Sequence, residues 1–363
     1  MKRKGSNFNG FIFSKYREVK ILNGGRKVVI YTIRFFYLII YRKTIDFSKY
    51  EILDGGGALQ LSLAEAMLNN DYLNDKLKIL IKGLDKDSIE TVLKIVKRLK
   101  KSYKSMFFIN KELYEEEKIE LRNIKNNFQN RIYKVDSNRW FYNGYYLPIS
   151  AFEISVFYHK HSLSALTTLN KIKKLDIIDV GAYIGDSALI LSEYTEGKIH
   201  CFEIDKKNFN LLKSTVVLNN KQDKIMVYNF ALGKDKQNLG IEYDNLGIGS
   251  RVVDLNKSSE EQRKNFDIVE QTTLDNFCKS NPNVKIGFIK VDIEGAEMDF
   301  LKGAKETICS QKPAMLISIY HNSRDFFEIK PLLDSWDVGY VFKIVKPVDH
   351  TIAVETALFC EVL

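Results

Sequence analysis

The chain has 363 residues, of which 45% are hydrophobic and 12% aromatic, enough for packed cores and against wholesale disorder; the length suits two domains better than one. Cys201, Cys278, Cys309 and Cys360 are widely spaced with no C-x-x-C pair, which argues against a disulfide scaffold or a zinc site and for reduced, mostly buried thiols in the cytoplasm. The net charge of +9 belongs to the amino-terminal arm: residues 1–50 hold 12 Lys/Arg against Glu18 and Asp46, and the other 313 residues hold 43 basic and 44 acidic side chains. Overall basicity therefore gives no reason to expect a nucleic-acid partner.

In the arm, Met1-Lys2-Arg3-Lys4 is not followed by an apolar stretch of signal-peptide length, so no secretion signal is expected. The run from Arg26-Lys27 to Arg42-Lys43 encloses fourteen residues including Arg34, too short and too charged to span a bilayer. Either it packs as a β-rich or helical core piece, or it lies in a membrane interface with its aromatics at the headgroups. Asp54-Gly55-Gly56-Gly57 reads as a flexible turn, because no Gly-Lys-Ser/Thr follows. From Leu59 to about Lys134 the pattern is helical and charged. Asp87-Ser88-Ile89-Glu90 predicts a capped helix start. Ile89, Val92, Leu93, Ile95, Val96 and Leu99 form its apolar face, with Lys94, Lys97, Arg98, Lys100 and Lys101 solvated opposite. Residues 115–131 are nearly all polar and predict an exposed helix or linker. Residues 140–148 predict a hairpin, with a domain boundary between 135 and 165. Strands are then expected at 175–180, 198–203, 224–230, 286–291, 314–319, 339–345 and 355–362. Helices are expected at 185–193, 206–219, 295–308 and 323–335. This alternation calls for a parallel sheet covered on both faces, ending in an antiparallel edge hairpin, with a β-rich insertion at 231–272.

The stretch IIDVGAYIGDS (177–187) runs an apolar strand into Gly181 and Gly185, and a second strand ends on Glu203, 18 residues after Gly185. That is the layout of a nucleotide pocket at the carboxyl end of a parallel sheet, with the acid placed for ribose hydroxyls. Tyr183 stands where a dinucleotide fingerprint has its middle glycine, which disfavours NAD and FAD. Asp179 before the turn suits a ligand carrying a cationic amine and would repel a diphosphate. D-x-G-x-x-x-G-D followed by the acid resembles the S-adenosylmethionine pocket of class I methyltransferases; a βα turn with no ligand is the bland alternative. Downstream, Lys290, Asp292 and Glu294 alternate along IGFIKVDIEGAE (286–297), so they share one side of a strand while it lasts, and Glu297 opens the next helix. A Lys290–Asp292 ion pair bracing the strand tip is one reading, and a site beside a bound cofactor is the other.

IIDVGAYIGDS (177–187), CFEIDKKNF (201–209), FIKVDIEGAEMDFLKGA (288–304) and PAMLISIYH (313–321) together resemble the FkbM-type methyltransferases, over roughly residues 135–363. K-x-D-x-E-G-x-E is the specific part. The resemblance implies an α/β fold, a Rossmann-like class I methyltransferase sheet; the basic arm and mainly helical region in residues 1–134 carry no motif of the family. The resemblance also implies O-methylation, dependent on S-adenosyl-L-methionine, of a sugar, glycan or related metabolite. Asp179, Gly181, Ala182, Gly185, Asp186, Ser187, Glu203 and Ile204 are the cofactor-binding candidates, and Asp292, Lys290, His321 and Glu294 the catalytic ones. Asp292 is the first candidate base, with Lys290 holding its geometry or stabilising an alkoxide, and His321 the rival base or a backbone cap. A divalent metal on Asp292, Glu294 and His321 is chemically possible, although no closely spaced ligand motif supports one. A basic arm docked on anionic lipid would bring a cytoplasmic enzyme to a lipid-linked glycan; alternatively the arm's aromatics pack as core and its charges are solvated. The other classes considered are a nicotinamide oxidoreductase and a non-catalytic module on a methyltransferase fold.

Overall fold

The computed structural model describes residues 58–68, 70–105, 113–243, 250–253, 255 and 266–363, and the backbone of 2–4, 13–22, 26–35 and 38–46. The glycine turn at 54–57 and the arm's side chains lie outside the described residues. In the arm, β1 (Lys2–Lys4), β2 (Phe13–Leu22), β3 (Arg26–Phe35) and β4 (Leu38–Asp46) pair in that order as an antiparallel sheet. Within the run between the two basic pairs, residues 28–35 and 38–41 are thus strand, as the β-rich reading has it.

Four helices follow: α1 (Ala58–Ala66), α2 (Asn70–Ile81), α3 (Lys86–Ser105) and α4 (Glu115–Asn127). On α3, Val92, Ile95, Val96 and Leu99 are buried, whereas Leu93 faces solvent. The cap is Asp85 rather than Asp87 or Ser88: its Oδ1 accepts from the Ser88 N–H at 2.8 Å, which frees the Ser88 hydroxyl to accept from the Ile344 N–H at 2.9 Å. Arg98 is not solvated. It is buried against α4 and grips Glu117 with two hydrogen bonds, at 2.8 and 2.5 Å. Nor is α4 an exposed linker, since Glu117, Leu121 and Ile124 are buried.

A three-stranded meander, β5 (Tyr133–Asp136), β6 (Arg139–Tyr142) and β7 (Tyr145–Leu147), turns at Asn143-Gly144, both with positive φ. After α5 (Leu169–Ile172) come β8 (Asp176–Val180), α6 (Asp186–Leu191), β9 (Ile199–Phe202), α7 (Lys206–Leu218) and β10 (Ile225–Tyr228). The insertion is β-rich as expected, with β11 (Ala231–Leu232), β12 (Gln237–Tyr243), β13 (Ser250–Val253) and β14 (Asp267–Thr272) forming a separate four-stranded sheet. Then come α8 (Leu274–Ser280), β15 (Ile286–Val291), α9 (Glu297–Gly303), α10 (Lys305–Gln311), β16 (Ala314–Ser318), α11 (Ser323–Asp334), β17 (Val341–Val345) and β18 (Ala357–Glu361). The helix expected at 295–308 is two helices, broken at Ala304.

The main sheet has the order β10-β9-β8-β15-β16-β18-β17, parallel except for β18, which is antiparallel to both neighbours. The last hairpin thus inserts β18 between β16 and the edge strand β17. Every residue of β15, β16 and β18 is buried, which is why these strands read as unbroken apolar runs rather than alternating ones. One hydrophobic cluster runs from Leu63 on α1 through this sheet to Cys360, so the described core passes through the proposed division at residue 134. The chain leaves β8 towards β9 and β10, then returns to β15 on the other side of β8. Ligand sites in open α/β sheets lie at such a reversal, outside the carboxyl ends of the strands.

Glu117 supplies a test of how the helical region is held. Paired with Arg98 and Lys94, its carboxyl is held down at about 2 despite the opposing cost of burial. A depressed carboxyl stabilises the fold above its unfolded value and loses that contribution as pH falls through the folded one. Urea midpoints should therefore drop between about pH 4.5 and 2, and Glu117→Ala, which removes the carboxylate gripped by the buried Arg98, should cost about 3 kcal/mol at neutral pH. An unchanged midpoint in the variant would contradict the role given to this pair.

Candidate active site

The turn after β8 brings four N–H groups together and spends them inside the protein. Gly181 and Ala182 both donate to the Phe202 carbonyl at 3.0 Å, Gly185 to the Ala182 carbonyl at 2.8 Å, and Tyr183 to Glu203 Oε2 at 2.9 Å. These donors do not form a phosphate cradle. The close approach for which Gly181 is needed is made by protein rather than by ligand: a Cβ there would stand 1.8 Å from the Asp292 carbonyl oxygen. Gly185 likewise leaves room for Leu212 on α7. Ala182, Asp186 and Ser187 are buried, and Ile204 is half-buried.

Across the reversal, Lys290 on β15 pairs in register with Asp179 on β8. Both side chains are buried, with Lys290 Nζ 3.1 Å from Asp179 Oδ1 and 3.3 Å from the Gly181 carbonyl. The expected Lys290–Asp292 pair is therefore replaced by Lys290–Asp179, and Asp179 stands behind the lysine with its Oδ2 unpartnered. Burial opposes charge on Lys290, yet Asp179, Asp292 and Asp186 together raise its pKa, so it stays an ammonium. One cation cannot satisfy three carboxylates, and burial still pushes Asp179 up and Asp186 up to about 6.

Strand β15 ends at Val291, so the expected alternation stops before Asp292. Asp292 turns into an open cleft of about 340 Å³ whose lining includes Ser155, His161, Ser162, Lys290 and Glu355. Glu294 takes a left-handed φ of 58° and exposes its side chain instead of joining the row. Tyr320 directs its hydroxyl to both Asp292 oxygens at 3.4 Å and to Glu355 at 3.5 Å. Burial and these carboxylates raise Tyr320 well above the usual phenol value, so it remains a donor. Burial and the Asp292 carboxylate push Glu355 up to about 7. Burial of its carboxyl, then Asp186, Glu355 and Asp292, raise Glu153 well above the usual carboxylate range. His161 is buried with its Nε2 unpartnered, and burial beside Lys290 and Lys160 lowers it to about 3, leaving a neutral ring.

His321 is buried between Glu297, 3.0 Å from its Nδ1, and Asp292, 3.3 Å from its Nε2. Burial opposes its charge, but the surrounding carboxylates raise it to about 9, which argues against the rival base. Among the predicted catalytic residues, Lys290, Asp292 and His321 thus converge, and the exposed Glu294 reaches His321 Nε2 with its Oε2 at 3.6 Å from the rim. Sequence reading missed Glu153, Tyr320 and Glu355, and gave Glu297 no role. Only Tyr320, next to His321, carried a local signal. A second hollow of about 330 Å³, between α3, α4 and the β17–β18 loop, is lined by charges that pair with one another, including Lys346–Asp349 at 2.7 Å.

A family model described as the methyltransferase FkbM domain matches residues 179–342. The chain carries an FkbM methyltransferase domain. By that domain it is an enzyme of the methyltransferase class. "Methyltransferase 1" of Beauveria bassiana (strain ARSEF 2860) is 25% identical over 189 residues, covering 47% of this chain and 74% of the relative. The crystal structure of methyltransferase FkbM from Methylobacillus flagellatus KT superposes with a TM-score of 0.50 at 17% identity. That alignment covers 80% of this chain and 60% of the other, and it shows the shared fold.

The donor set around the FkbM turn fits S-adenosylmethionine better than a dinucleotide. Glu203, at the tip of β9, is nearly buried and accepts one backbone N–H on each oxygen, from Tyr183 and from Asp205 at 2.7 Å. A lone pair on each oxygen remains for a ribose diol. The acidic cleft suits a sulfonium and an ammonium, and Lys290 at its edge is already surrounded by carboxylates.

Burial raises Glu203 to about 7 against the pull of its two N–H donors. A raised carboxyl contributes stability that is fully present below its unfolded value and lost as pH rises through the folded value. Ligand-free protein should therefore lose stability between about pH 4.5 and 7 at this residue. Glu203→Gln should raise the melting temperature at pH 8 while weakening S-adenosylmethionine binding by about 1–3 kcal/mol. A variant that melts lower at pH 8, or binds as tightly as wild type, would count against this assignment.

Proposed function

We propose that this methyltransferase transfers a methyl group from S-adenosylmethionine to a hydroxyl of a neutral or amine-bearing sugar, glycan or related metabolite. The observation that carries the proposal is the cleft chemistry. Asp292, Glu355 and the neutral His161 line the cleft and offer acceptors to hydroxyl donors, and its acidic lining disfavours phosphates and other anions. S-adenosylmethionine, when bound, supplies a methyl group on a positively charged sulfur. Glu203 would hold its ribose, and the Gly181–Ser187 turn with the acidic wall would hold its amino-acid end.

In this reading Asp292 accepts the hydroxyl proton, since its carboxylate opens on the cleft whereas His321 is sealed behind it. Tyr320 donates towards both Asp292 oxygens and fixes the carboxylate plane. Lys290 sets the local field without taking a proton. Glu355 and the unpartnered Nε2 of His161 offer contacts to further hydroxyls of the acceptor. A nicotinamide oxidoreductase is disfavoured because the turn's N–H groups are already bonded within the protein.

Incorporation of labelled methyl groups into a panel of free sugars and glycan extracts tests the proposal. Asp292→Asn should lower turnover by about 10²–10⁴-fold while cofactor affinity changes only a few fold. Tyr320→Phe should show a smaller loss, because it orients the base and does not replace it. Incorporation into nucleic acid or phosphorylated acceptors with none into neutral polyols would overturn the acceptor class. Full activity in Asp292→Asn would remove the base.

A further inference from the structure

Three separate elements deliver one imidazole and two carboxylates to a single point beside the cleft. Asp292 follows β15, Glu297 is the first residue of α9, and His321 follows β16. One ligand atom from each lies within 4.8 Å of the other two. We propose that Asp292, Glu297 and His321 hold a divalent cation of the Mn²⁺ class at the edge of the cleft.

Proximity is not the only support. Glu297 is 0% and His321 3% exposed, yet Glu297 Oε2 and both ring nitrogens of His321 have no hydrogen-bond partner. The ring's contacts with Glu297, Asp292 and Glu294, at 3.0, 3.3 and 3.6 Å, are ion-pair contacts. Behind them Asp325, 1% exposed, also leaves Oδ1 unpartnered. Buried polar atoms are ordinarily satisfied, and a cluster of orphans pointing together implies a missing partner. A cation held by one ring nitrogen of His321 and by carboxylate oxygens of Glu297 and Asp292 would supply a partner to part of this cluster.

The donor set selects the ion class. Carboxylate oxygens suit Mg²⁺, Ca²⁺ and Mn²⁺, imidazole suits later transition metals, and Mn²⁺ accepts both. Two ligands are sealed in the interior, whereas Asp292 is half-buried and opens on the cleft, so remaining coordination positions face solvent and acceptor. The ligands are themselves braced: the Ile293 N–H donates to Glu297 Oε1 at 2.9 Å, and the Asp325 N–H donates to Asn322 Oδ1 at 2.9 Å. Glu294, named with Asp292 and His321 from the sequence, is largely exposed with its Oε2 3.6 Å from His321 Nε2, and Glu297 takes its place in the group of three.

Chelator-treated full-length chain titrated with MnCl₂, with free Mn²⁺ followed by electron paramagnetic resonance, tests the site. A single bound ion is expected, and pulsed spectra of the wild-type protein should show nitrogen modulation from a coordinated imidazole. His321→Ala and Glu297→Gln, each checked for folding by circular dichroism, should weaken binding about tenfold or more. The nitrogen signal needs no substitution, so it decides the matter even where a variant fails to fold. No binding at millimolar Mn²⁺, binding without the imidazole signal, or unchanged affinity in folded variants would overturn the site and leave the imidazole bridging two carboxylates unaided. None of these readouts depends on methyl transfer.

Discussion

A lone ammonium buried among carboxylates organises the carboxyl end of the sheet. Lys290 sits on a strand whose every residue is buried, where desolvation alone drives a lysine towards neutrality. Asp179 across the strand pair, with Asp186 and Asp292 nearby, reverses that tendency and keeps the charge. Such a pair is weak evidence for stability, because its desolvation offsets much of its attraction. Its contribution here is placement. Lys290 reaches the Gly181 carbonyl as well as Asp179, and so ties the βα turn of one strand to the tip of the next across the reversal in chain direction.

The cleft that opens beside this pair is lined by segments far apart in sequence, and several of them are held in uncommon backbone conformations. His161, Ser162, Tyr183, Glu294 and Glu355 all have positive φ without being glycine. Each such residue costs on the order of 1–3 kcal/mol and persists only where its surroundings over-determine it. Of these, His161, Ser162 and Glu355 line the cleft before any ligand arrives. Fixed dipoles and charges of this kind need no rearrangement at the moment of reaction.

Much of the main sheet could be read from the sequence because its strands are buried on both faces and its helices alternate with them. The seven expected strands from 175 to 362 are all present, and the turn from Gly181 to Gly185 stands where its glycines placed it. The misreadings have a common cause. Arg98 and Glu117 look solvated one at a time, and only the packing of α3 on α4 makes them a buried pair. Lys290 and Asp292 are two apart on one segment, but the strand stops at Val291 and the true partner is 111 residues away on β8. Glu153 and Glu355 enter through loops with no local pattern, so long-range topology alone could reveal them. The helix start at Asp85 differs from the expected one because Ser88 is spent on the backbone of β17.

The FkbM domain and its acidic cleft lead to one central claim: the tip of β8 and Glu203 hold a cationic methyl donor rather than a dinucleotide. Calorimetric titration of the full chain with S-adenosylhomocysteine, and separately with NADH, tests this most directly. The account predicts a single site for S-adenosylhomocysteine and no heat of binding with NADH. Saturable NADH binding together with no response to S-adenosylhomocysteine would contradict it.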